Sequence, residues 1–404
     1  MCEFEKIKCV YIVEIIFNHL EDNKKLNIMK YNKYLQDRLN IDIDDYKKVS
    51  GRYITYVGNE YDTTNKKLLY IGEYMNGERN GKGKEFDGKG NLIYFGKFKN
   101  GKRHGKGREF SDTNRKLTLH SDGLYYNMGE KVFEGEFKNG KKNGKGEEYY
   151  KGKLIFKGVY LNGKRNGKGT EFEPEADYLN RKRAKGKKVN NGIVKFEGEY
   201  KDGERNGKGK KYYNSGDIEF KGEYKDGERN GKGEEYYYGG RLKFEGEYKD
   251  GERNGKGEEY YYGGGLKFEG EYKDGKRNGK GKEYINGKLL CRNLDKKENY
   301  KNRCLKFEGE FVDGLKSGKG KEYHYNNILK FEGKYLNDKR NGKGKEYNEF
   351  GELIFEGSFL DGEKNGKGKI YKNNKLFLEE NFKNGEINWL ISFLILIFHK
   401  LYRI

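Results

Sequence analysis

The chain has 404 residues, of which 61 are glycine and one is proline, and 37% of its residues are charged. This composition excludes several conventional globular cores, a collagen helix, which needs glycine at every third position and abundant proline, and a disulfide framework, since only four cysteines occur. The aromatic content of 15% favours a repeat protein whose units each bury a little apolar surface, and the net charge of +21 favours anionic partners.

Residues 1–50 do not follow the pattern of the rest of the chain. Two sets of apolar residues have the spacing of amphipathic helices: Cys9, Ile12, Ile16 and Leu20, and then Ile28, Tyr31, Leu35 and Leu39. We expect a helical N-terminal cap that covers an open sheet edge, followed by a lead-in segment at 51–68. A short helical adaptor similar to an F-box is the alternative. No basic region precedes an apolar core, so we expect no signal peptide.

Residues 69–386 repeat one unit, which is clearest in the near-identical segments Leu242–Tyr260 and Leu266–Tyr284. One glycine per unit marks eleven copies, most of them 24 residues apart, and Glu380 takes its place in a degenerate twelfth. The marker glycines are Gly72, Gly96, Gly135, Gly158, Gly198, Gly222, Gly246, Gly270, Gly309, Gly333 and Gly357. Three longer spacings contain insertions near 111–131, 173–192 and 285–304.

Each unit has the pattern of a β-hairpin. Apolar residues and glycine alternate with charged residues from Leu242 to Lys249, as in a half-buried strand. Asp250-Gly251 and Asn254-Gly255 are tight-turn signals, because these residue types tolerate positive φ. The array is therefore predicted to be an all-β antiparallel meander. We expect Gly246, Gly255 and Gly257 to leave space for aromatic rings of the adjacent unit.

The recurring pattern Tyr/Phe-x-Gly-x-Tyr/Phe-x-x-Gly-x-x-x-Gly-x-Gly-x-x-Tyr/Phe resembles the MORN (membrane occupation and recognition nexus) repeat. The resemblance covers residues 69–385, with small departures at Ser317 and Asp338. It implies an elongated, grooved array of stacked hairpins that serves as a scaffold, often at membranes. Binding of phosphoinositide or phosphatidic acid has been attributed to some members of the family.

Equivalent positions of the repeats form columns of charge. The lysines and arginines either pair with a column of glutamates, at about 0.2–1 kcal/mol per pair, or form a basic ridge that meets an anionic surface, at about 1 kcal/mol per residue. The candidate contacts are Lys208, Lys232, Lys256, Lys280, Arg205, Arg229, Arg253 and Arg277, with Arg181, Lys182 and Arg183 of the second insertion. The basic run of that insertion is a solvated loop, a nuclear localisation signal, or a lipid or nucleic-acid contact.

Two further segments leave alternatives open. Cys291 and Cys304 bracket the third insertion and either form a disulfide across the loop or remain free thiols. The cysteine-poor composition favours free thiols and a reducing compartment. The apolar tail at 387–404 is shorter than the about 20 residues that a transmembrane helix needs. It either caps the last repeat as a buried helix or enters a membrane. The residues expected to contact the membrane are Trp389, Leu390, Phe393, Leu394, Leu396 and Phe398.

No catalytic, cofactor or metal site is predicted. The five histidines have no metal-ligand or triad spacing, and Gly-Lys-Gly does not match a phosphate-binding loop. We expect a non-catalytic scaffold in the cytoplasm, at the cytoplasmic face of a membrane, that binds a protein partner which the sequence does not identify. A tether that binds acidic phospholipid is the alternative. Nucleic acid is disfavoured, because the aromatic residues that would stack on bases are expected to be buried.

Overall fold

A computed structural model describes residues 58–75, 77–112, 116–119, 125–174, 192–286 and 304–387, short stretches at 52–54 and 188–189, and isolated positions between 12 and 37. Between residues 52 and 387, every regular element in this described part is a β-strand, which confirms the predicted all-β meander of hairpins. Apart from those isolated positions, the predicted helical cap over 1–50 lies outside the described residues, as does the predicted helical tail after Ile387.

The chain divides into two compact units. Unit 1 contains Met1–Glu204 with Asn214–Gly216, and unit 2 contains Arg205–Tyr213 with Asp217–Ile404. The strands of unit 1 are β1 (Arg52–Ile54), β2 (Asn59–Asp62), β3 (Leu68–Met75), β4 (Glu78–Phe86), β5 (Asn91–Lys99), β6 (Lys102–Phe110), β7 (Lys116–Leu119), β8 (Tyr125–Met128), β9 (Lys131–Lys138), β10 (Lys141–Tyr150), β11 (Lys153–Leu161), β12 (Lys164–Pro174), β13 (Lys188–Val189) and β14 (Gly192–Lys201). They pair antiparallel in chain order from β1 to β6, then through β9 to β12, and on to β14.

The first insertion adds a small hairpin, β7 with β8, to unit 1. Strand β8 lies parallel to β5, where Leu92 is the partner of Met128. Tyr126 of this hairpin packs with Phe86 and Leu92 in a buried cluster. The insertion therefore contributes its own apolar contacts to the array.

Unit 2 is a meander in which each strand pairs antiparallel with the next. Its strands are β15 (Glu204–Tyr212), β16 (Ile218–Lys225), β17 (Glu228–Tyr236), β18 (Leu242–Lys249), β19 (Glu252–Tyr260), β20 (Leu266–Lys273), β21 (Lys276–Tyr284), β22 (Leu305–Val312), β23 (Leu315–Tyr323), β24 (Leu329–Leu336), β25 (Lys339–Tyr347), β26 (Leu353–Leu360), β27 (Glu363–Lys372), β28 (Lys375–Lys383) and β29 (Glu386–Ile387). The pairing runs from β15 to β29 without interruption.

The two turn signals of each unit have different structural roles. Asp250 and Gly251 both have positive φ, at 49° and 86°, and connect β18 to β19 as a two-residue hairpin turn. Asn254-Gly255 lies inside β19, where the register shifts and Gly255 has φ +97°. The prediction of a second turn is therefore wrong, because this pair forms a β-bulge within a strand that already begins at Glu252.

The core of each repeat is a pair of aromatic rings. Phe244 is fully buried and Tyr248 is 4% exposed. Phe244 makes an edge-to-face contact with Tyr248 of its own hairpin at 5.6 Å and with Tyr272 of the next repeat at 5.1 Å. Such contacts add about 0.5–1.5 kcal/mol per pair beyond the area buried. The rings thus connect successive repeats into a continuous column within unit 2.

The strand glycines make room for these rings. Gly246 faces Gly257 across the hairpin, and a Cβ on Gly257 would lie 2.3 Å from Cζ of Phe244. The ring comes from the same hairpin, so the expectation of a ring from the adjacent unit is wrong here. Gly255 serves a different purpose, since its positive φ belongs to the bulge and its nearest neighbour is the Glu247 carboxylate.

Cys304 departs from the expectation of free thiols. It is buried, with 2% exposure, and it is disulfide-bonded. Its partner cysteine lies outside the described residues. The prediction of a free thiol is therefore wrong for Cys304.

Candidate functional site

Each repeat has two faces of different character, because successive side chains of a strand point to opposite sides of the sheet. We call the first the aromatic face; it carries Phe244 and Arg253 and their equivalents. We call the second the groove face; it carries Glu247 and Lys256 and their equivalents. The lysines and arginines that were predicted to form one ridge therefore lie on opposite faces.

The arginines cover the aromatic column. The guanidinium carbon of Arg253 lies 4.0 Å from the centre of the Phe244 ring, and its Nη2 donates a hydrogen bond of 2.8 Å to Glu235. The side chains of Arg253 and Glu235 are only 16% and 12% exposed. Tyr248 donates a second hydrogen bond, of 2.9 Å, to the same carboxylate. Arg253 is thus already engaged with a ring and a carboxylate of its own chain.

The arrangement recurs at the neighbouring predicted arginines. Arg277 lies 4.2 Å from the Phe268 ring and pairs with Glu259 at 2.7 Å. Arg229 lies 4.3 Å from the ring of Phe220. Arg205 is half-buried at the equivalent position. These arginines therefore belong to the cover of the core, and this favours the pairing interpretation of the arginine column.

The electrostatics of this cover keep the carboxylates ionised. Burial raises the pKa of Glu235, but the hydrogen bond and positive charge of Arg253 outweigh it and lower the pKa to about 2. Burial, together with the charge of Glu235, raises the pKa of the Tyr248 phenol well above its usual range. Neither group changes its protonation state near neutral pH, so the cluster acts as structural support.

The predicted lysines lie on the groove face. Lys208, Lys232, Lys256 and Lys280 are exposed and stand opposite glutamates of the neighbouring strands. Lys256, for example, pairs in register with Glu271. The lysine and glutamate columns thus run side by side on one surface.

The glutamate carboxylates are held at the β-bulges. In unit 1, Glu73 accepts a hydrogen bond of 3.1 Å from the backbone amide of Lys82 in the bulge. Glu136 accepts the equivalent bond of 3.4 Å from Lys145. In unit 2, the Glu247 carboxylate occupies the space beside Gly255: a Cβ on Gly255 would lie 2.0 Å from Oε2 of Glu247. The bulge glycine therefore makes room for a carboxylate beside a backbone amide.

The groove face forms concave surfaces in both units. A groove of about 890 Å³ in unit 1 is lined by lysines, among them Lys106, Lys145 and Lys168, with Val159 on its floor. A groove of about 900 Å³ in unit 2 extends from Glu308 to Glu379. Backbone atoms of the strand glycines also line both grooves.

We predicted a column of glutamates from the sequence, but not the interruption of that column in unit 2. Lys334 and Ser358 stand where Glu271 and Glu310 stand in preceding repeats of unit 2. This interruption is visible in the sequence, since Lys334 and Ser358 replace the glutamate that most other repeats have at this position.

Other predicted site residues cannot be placed on either face. Arg181, Lys182 and Arg183 lie outside the described residues, and so do Trp389, Leu390, Phe393, Leu394, Leu396 and Phe398. Within the described residues, no group of His, Cys, Asp or Glu side chains is arranged to hold a metal ion. The same described part of the chain contains no helix of the length and apolarity needed to span a membrane.

Comparison with curated sequences and solved structures finds only weak likenesses. No curated protein sequence matches the chain. A crystal structure of TcdB2-TccC3-TEV is 11% identical, covering 82% of this chain and 20% of that one, with a TM-score of 0.16. The Photorhabdus luminescens Tc holotoxin pore is 10% identical, covering 82% and 21%, with a TM-score of 0.15. The chain thus spans about a fifth of the length of these proteins.

The sequence pattern of the MORN repeat matches eleven segments of the chain. They are residues 70–92, 94–115, 133–153, 156–172, 196–218, 220–240, 244–266, 268–288, 307–327, 331–348 and 355–375. The segments cover more than half of the 404 residues and coincide with the stacked hairpins. The chain therefore belongs to the MORN repeat family.

Proposed function

We propose that the protein is a non-catalytic scaffold whose groove face binds partner proteins at the cytoplasmic face of a membrane. The observation that carries the proposal is the difference between the two faces. The aromatic face is filled by the chain's own rings, arginines and glutamates, whereas the groove face presents concave surfaces lined by exposed lysines. A partner therefore has one side of the sheet available to it.

Regular spacing supports this proposal. Two strands per repeat place equivalent side chains about 10 Å apart. A partner that follows the groove meets the same lysine and glycine pattern at each step, so several weak contacts act together. Complementary charge along such a surface favours fast association and fixes the register of the partner.

The experiment compares two variants of unit 1 with equal loss of charge. The groove variant combines Lys106→Gln, Lys145→Gln and Lys168→Gln, which remove three lysines from the unit 1 groove. The control variant combines Lys66→Gln, Lys89→Gln and Lys151→Gln, which lie in exposed turns. Partners are captured from cells by cross-linking to the full chain and quantified by mass spectrometry. We expect the groove variant to lose partners that the control variant keeps; equal losses in both would contradict the proposal.

An acidic-phospholipid tether is the second candidate function, because the Gly-Lys-Gly lysine is exposed in all eleven copies. Flotation of the full chain with vesicles tests it. A tether binds vesicles that contain phosphatidic acid or phosphoinositide, ignores neutral vesicles, and loses binding as salt screens the lysines. Binding to neutral vesicles, or none to either kind, excludes this candidate. The F-box-like adaptor over residues 1–50 stays a prediction.

A further inference from the structure

The groove face changes its charge in the last three full repeats of unit 2. We call the surface on β22 to β28 that is lined by residues 308–379 the terminal groove. Seven lysines and four glutamates line it. Over the preceding repeats, two lysines and four glutamates line the equivalent surface between Glu245 and Lys280. The terminal groove is thus the basic part of a face that is acidic a few strands earlier.

One cause is the interruption of the glutamate column. A second is that Lys321, Lys345 and Lys369 stand at the position that Glu258 has in its repeat. Lys256 stands opposite Glu271. In the terminal groove, Lys319 stands opposite Lys334, and Lys343 stands opposite Ser358. Like charges placed directly across a sheet repel each other. Within the described residues, Lys319, Lys334 and Lys343 form no ion pair, so this surface has positive charge that its own chain leaves uncompensated.

Because Lys334 and Ser358 replace glutamates, no carboxylate of the described residues lies at the corresponding bulges. In the first repeat, the Glu73 carboxylate accepts from the bulge amide of Lys82. At the bulge before Lys343, the nearest side chain to Gly342 is that of Lys334, and at the next bulge the nearest to Gly366 is that of Ser358. At these two bulges of the terminal groove, the chain's own glutamate is therefore missing, and a carboxylate of another molecule would find a lysine and a bulge amide there.

An apolar row borders the terminal groove. Val312, Leu336 and Leu360 are about half exposed, at 51%, 51% and 50%. Leu336 follows Lys334 by two residues, and Leu360 follows Ser358 by two, so each pair lies on one side of its strand. The equivalent positions in the preceding repeats of unit 2 are Lys225, Lys249 and Lys273. The loss of the glutamate and the apolar residue therefore occur together in the repeats of Leu336 and Leu360, while the repeat of Val312 keeps Glu310.

We propose that the terminal groove binds an extended segment of a partner protein that carries a carboxylate and an apolar side chain at about every third residue. The inference rests on the proposed scaffold function and names the chemistry of the partner. Equivalent positions of successive repeats are about 10 Å apart. A chain in the extended polyproline II conformation advances about 3.1 Å per residue with three residues per turn, so every third side chain faces the same side. The carboxylates meet the lysines and bulge amides, and the apolar side chains pack on Val312, Leu336 and Leu360.

The concave shape favours a peptide segment over a membrane. The charged side chains line a groove of about 900 Å³, which a chain can enter along its length. A flat bilayer would contact only the rims. The apolar row also demands partner side chains at fixed spacing, which a protein segment supplies.

The experiment uses the full chain and a fluorescent peptide of about six Asp-Ser-Leu triplets. The reversion variant combines Lys334→Glu, Ser358→Glu, Leu336→Lys and Leu360→Lys. Each change installs the residue that the chain already carries at the same position of the repeats around Glu247 and Lys249, so the fold is retained. We expect the peptide Kd, measured by anisotropy, to rise about tenfold or more in the variant with an unchanged Tm. An unchanged Kd overturns the proposal.

A matched control variant carries the opposite exchange in the preceding repeats: Glu247→Lys, Glu271→Ser, Lys249→Leu and Lys273→Leu. This variant is expected to keep the original site and to bind additional peptide. A peptide with Asn in place of Asp, and another with Ser in place of Leu, should each bind more weakly than the parent. Equal binding of either one overturns the proposal.

A further experiment with acidic vesicles distinguishes peptide binding from lipid binding. If the reversion variant loses vesicle binding and the peptide does not compete with vesicles, the surface recognises lipid and the peptide proposal is wrong. Failure of the scaffold function is distinguishable, since it appears as unchanged partner capture by the unit 1 groove variant. Failure of the present proposal appears as an unchanged peptide Kd in the reversion variant.

Discussion

Arg253 lies over the ring of Phe244, with 4.0 Å between the guanidinium carbon and the ring centre. The ring in turn occupies the space left by Gly246 and Gly257. Glycine, ring and arginine thus form three successive layers, and Glu235 fixes the arginine from the preceding repeat. The same layers recur in unit 2 with Lys316 over Phe307, at 4.3 Å. A cation thus lies above the ring in both repeats, arginine in one and lysine in the other.

Replacing Arg253 with alanine is expected to lower the free energy of unfolding by about 2 kcal/mol. The buried Glu235 carboxylate loses its arginine partner, and the Phe244 ring loses the cation above it. Arg253→Lys should cost less, about 1 kcal/mol or below, since Lys316 occupies the equivalent position in the same unit. Urea unfolding measures both. Lys256→Ala, on the exposed groove face, is the control and should change stability by less than about 0.5 kcal/mol. A similar cost for all three would show that the layered contact contributes nothing specific.

Gly257→Val is expected to disrupt its repeat. The first added carbon would lie 2.3 Å from Cζ of Phe244, and the fully buried ring already packs against Tyr248 and Tyr272. We expect a cost of about 2–3 kcal/mol, with faster hydrogen exchange and proteolysis in β18 and β19. Gly263→Val is the control, because a Cβ there has no neighbour closer than 4.0 Å and φ is not positive. Equal melting and proteolysis of the two variants would disprove the packing role of Gly257.

Acid should unfold the array through its carboxylates. The pKa of Glu235 is lowered from 4.5 to about 2 in the folded protein. A lowered pKa contributes stability that is fully present above pH 4.5 and is lost as the pH falls towards 2, at roughly 3 kcal/mol for this group. Glu259, Glu283, Glu322 and Glu346 have pKa values lowered in the same direction.

Chemical denaturation between pH 7 and pH 2 measures this dependence. We expect a plateau above about pH 5 and a steep loss below it. Glu235→Gln removes the titrating group and should flatten the acid limb while lowering stability at neutral pH. An acid limb of the same steepness in this variant would show that the pairing of Glu235 does not couple to folding.

The apolar tail is expected to bring the protein to membranes together with the exposed lysines, since two weak anchors can give stable attachment where one does not. Deleting residues 388–404 should abolish the salt-resistant part of pelleting with acidic vesicles. The comparison is made at low and high salt, because screening weakens only the contribution of the lysines. Unchanged salt-resistant binding, or aggregation of the truncated chain, would show that the tail serves as a cap for the sheet.

Local patterns determined most of the fold. Alternation from Leu242 to Lys249 and the Asp250-Gly251 pair act within a few residues, so the hairpin and the all-β array follow from the sequence alone. The glycine period also located the repeats, and the resemblance to the MORN family rests on the same residues.

Only the tertiary structure decided the roles of the charges and rings. Strand β19 begins at Glu252, so Arg253 is a strand residue on the aromatic face. Its partner Glu235 belongs to another repeat, 18 positions away, which no local pattern specifies. The sequence determined that the repeats stack, because alternation and turns are local. Which ring fills a glycine gap, and which cation remains exposed in the groove, depended on cross-strand register and the bulge, which exist only once the strands have paired.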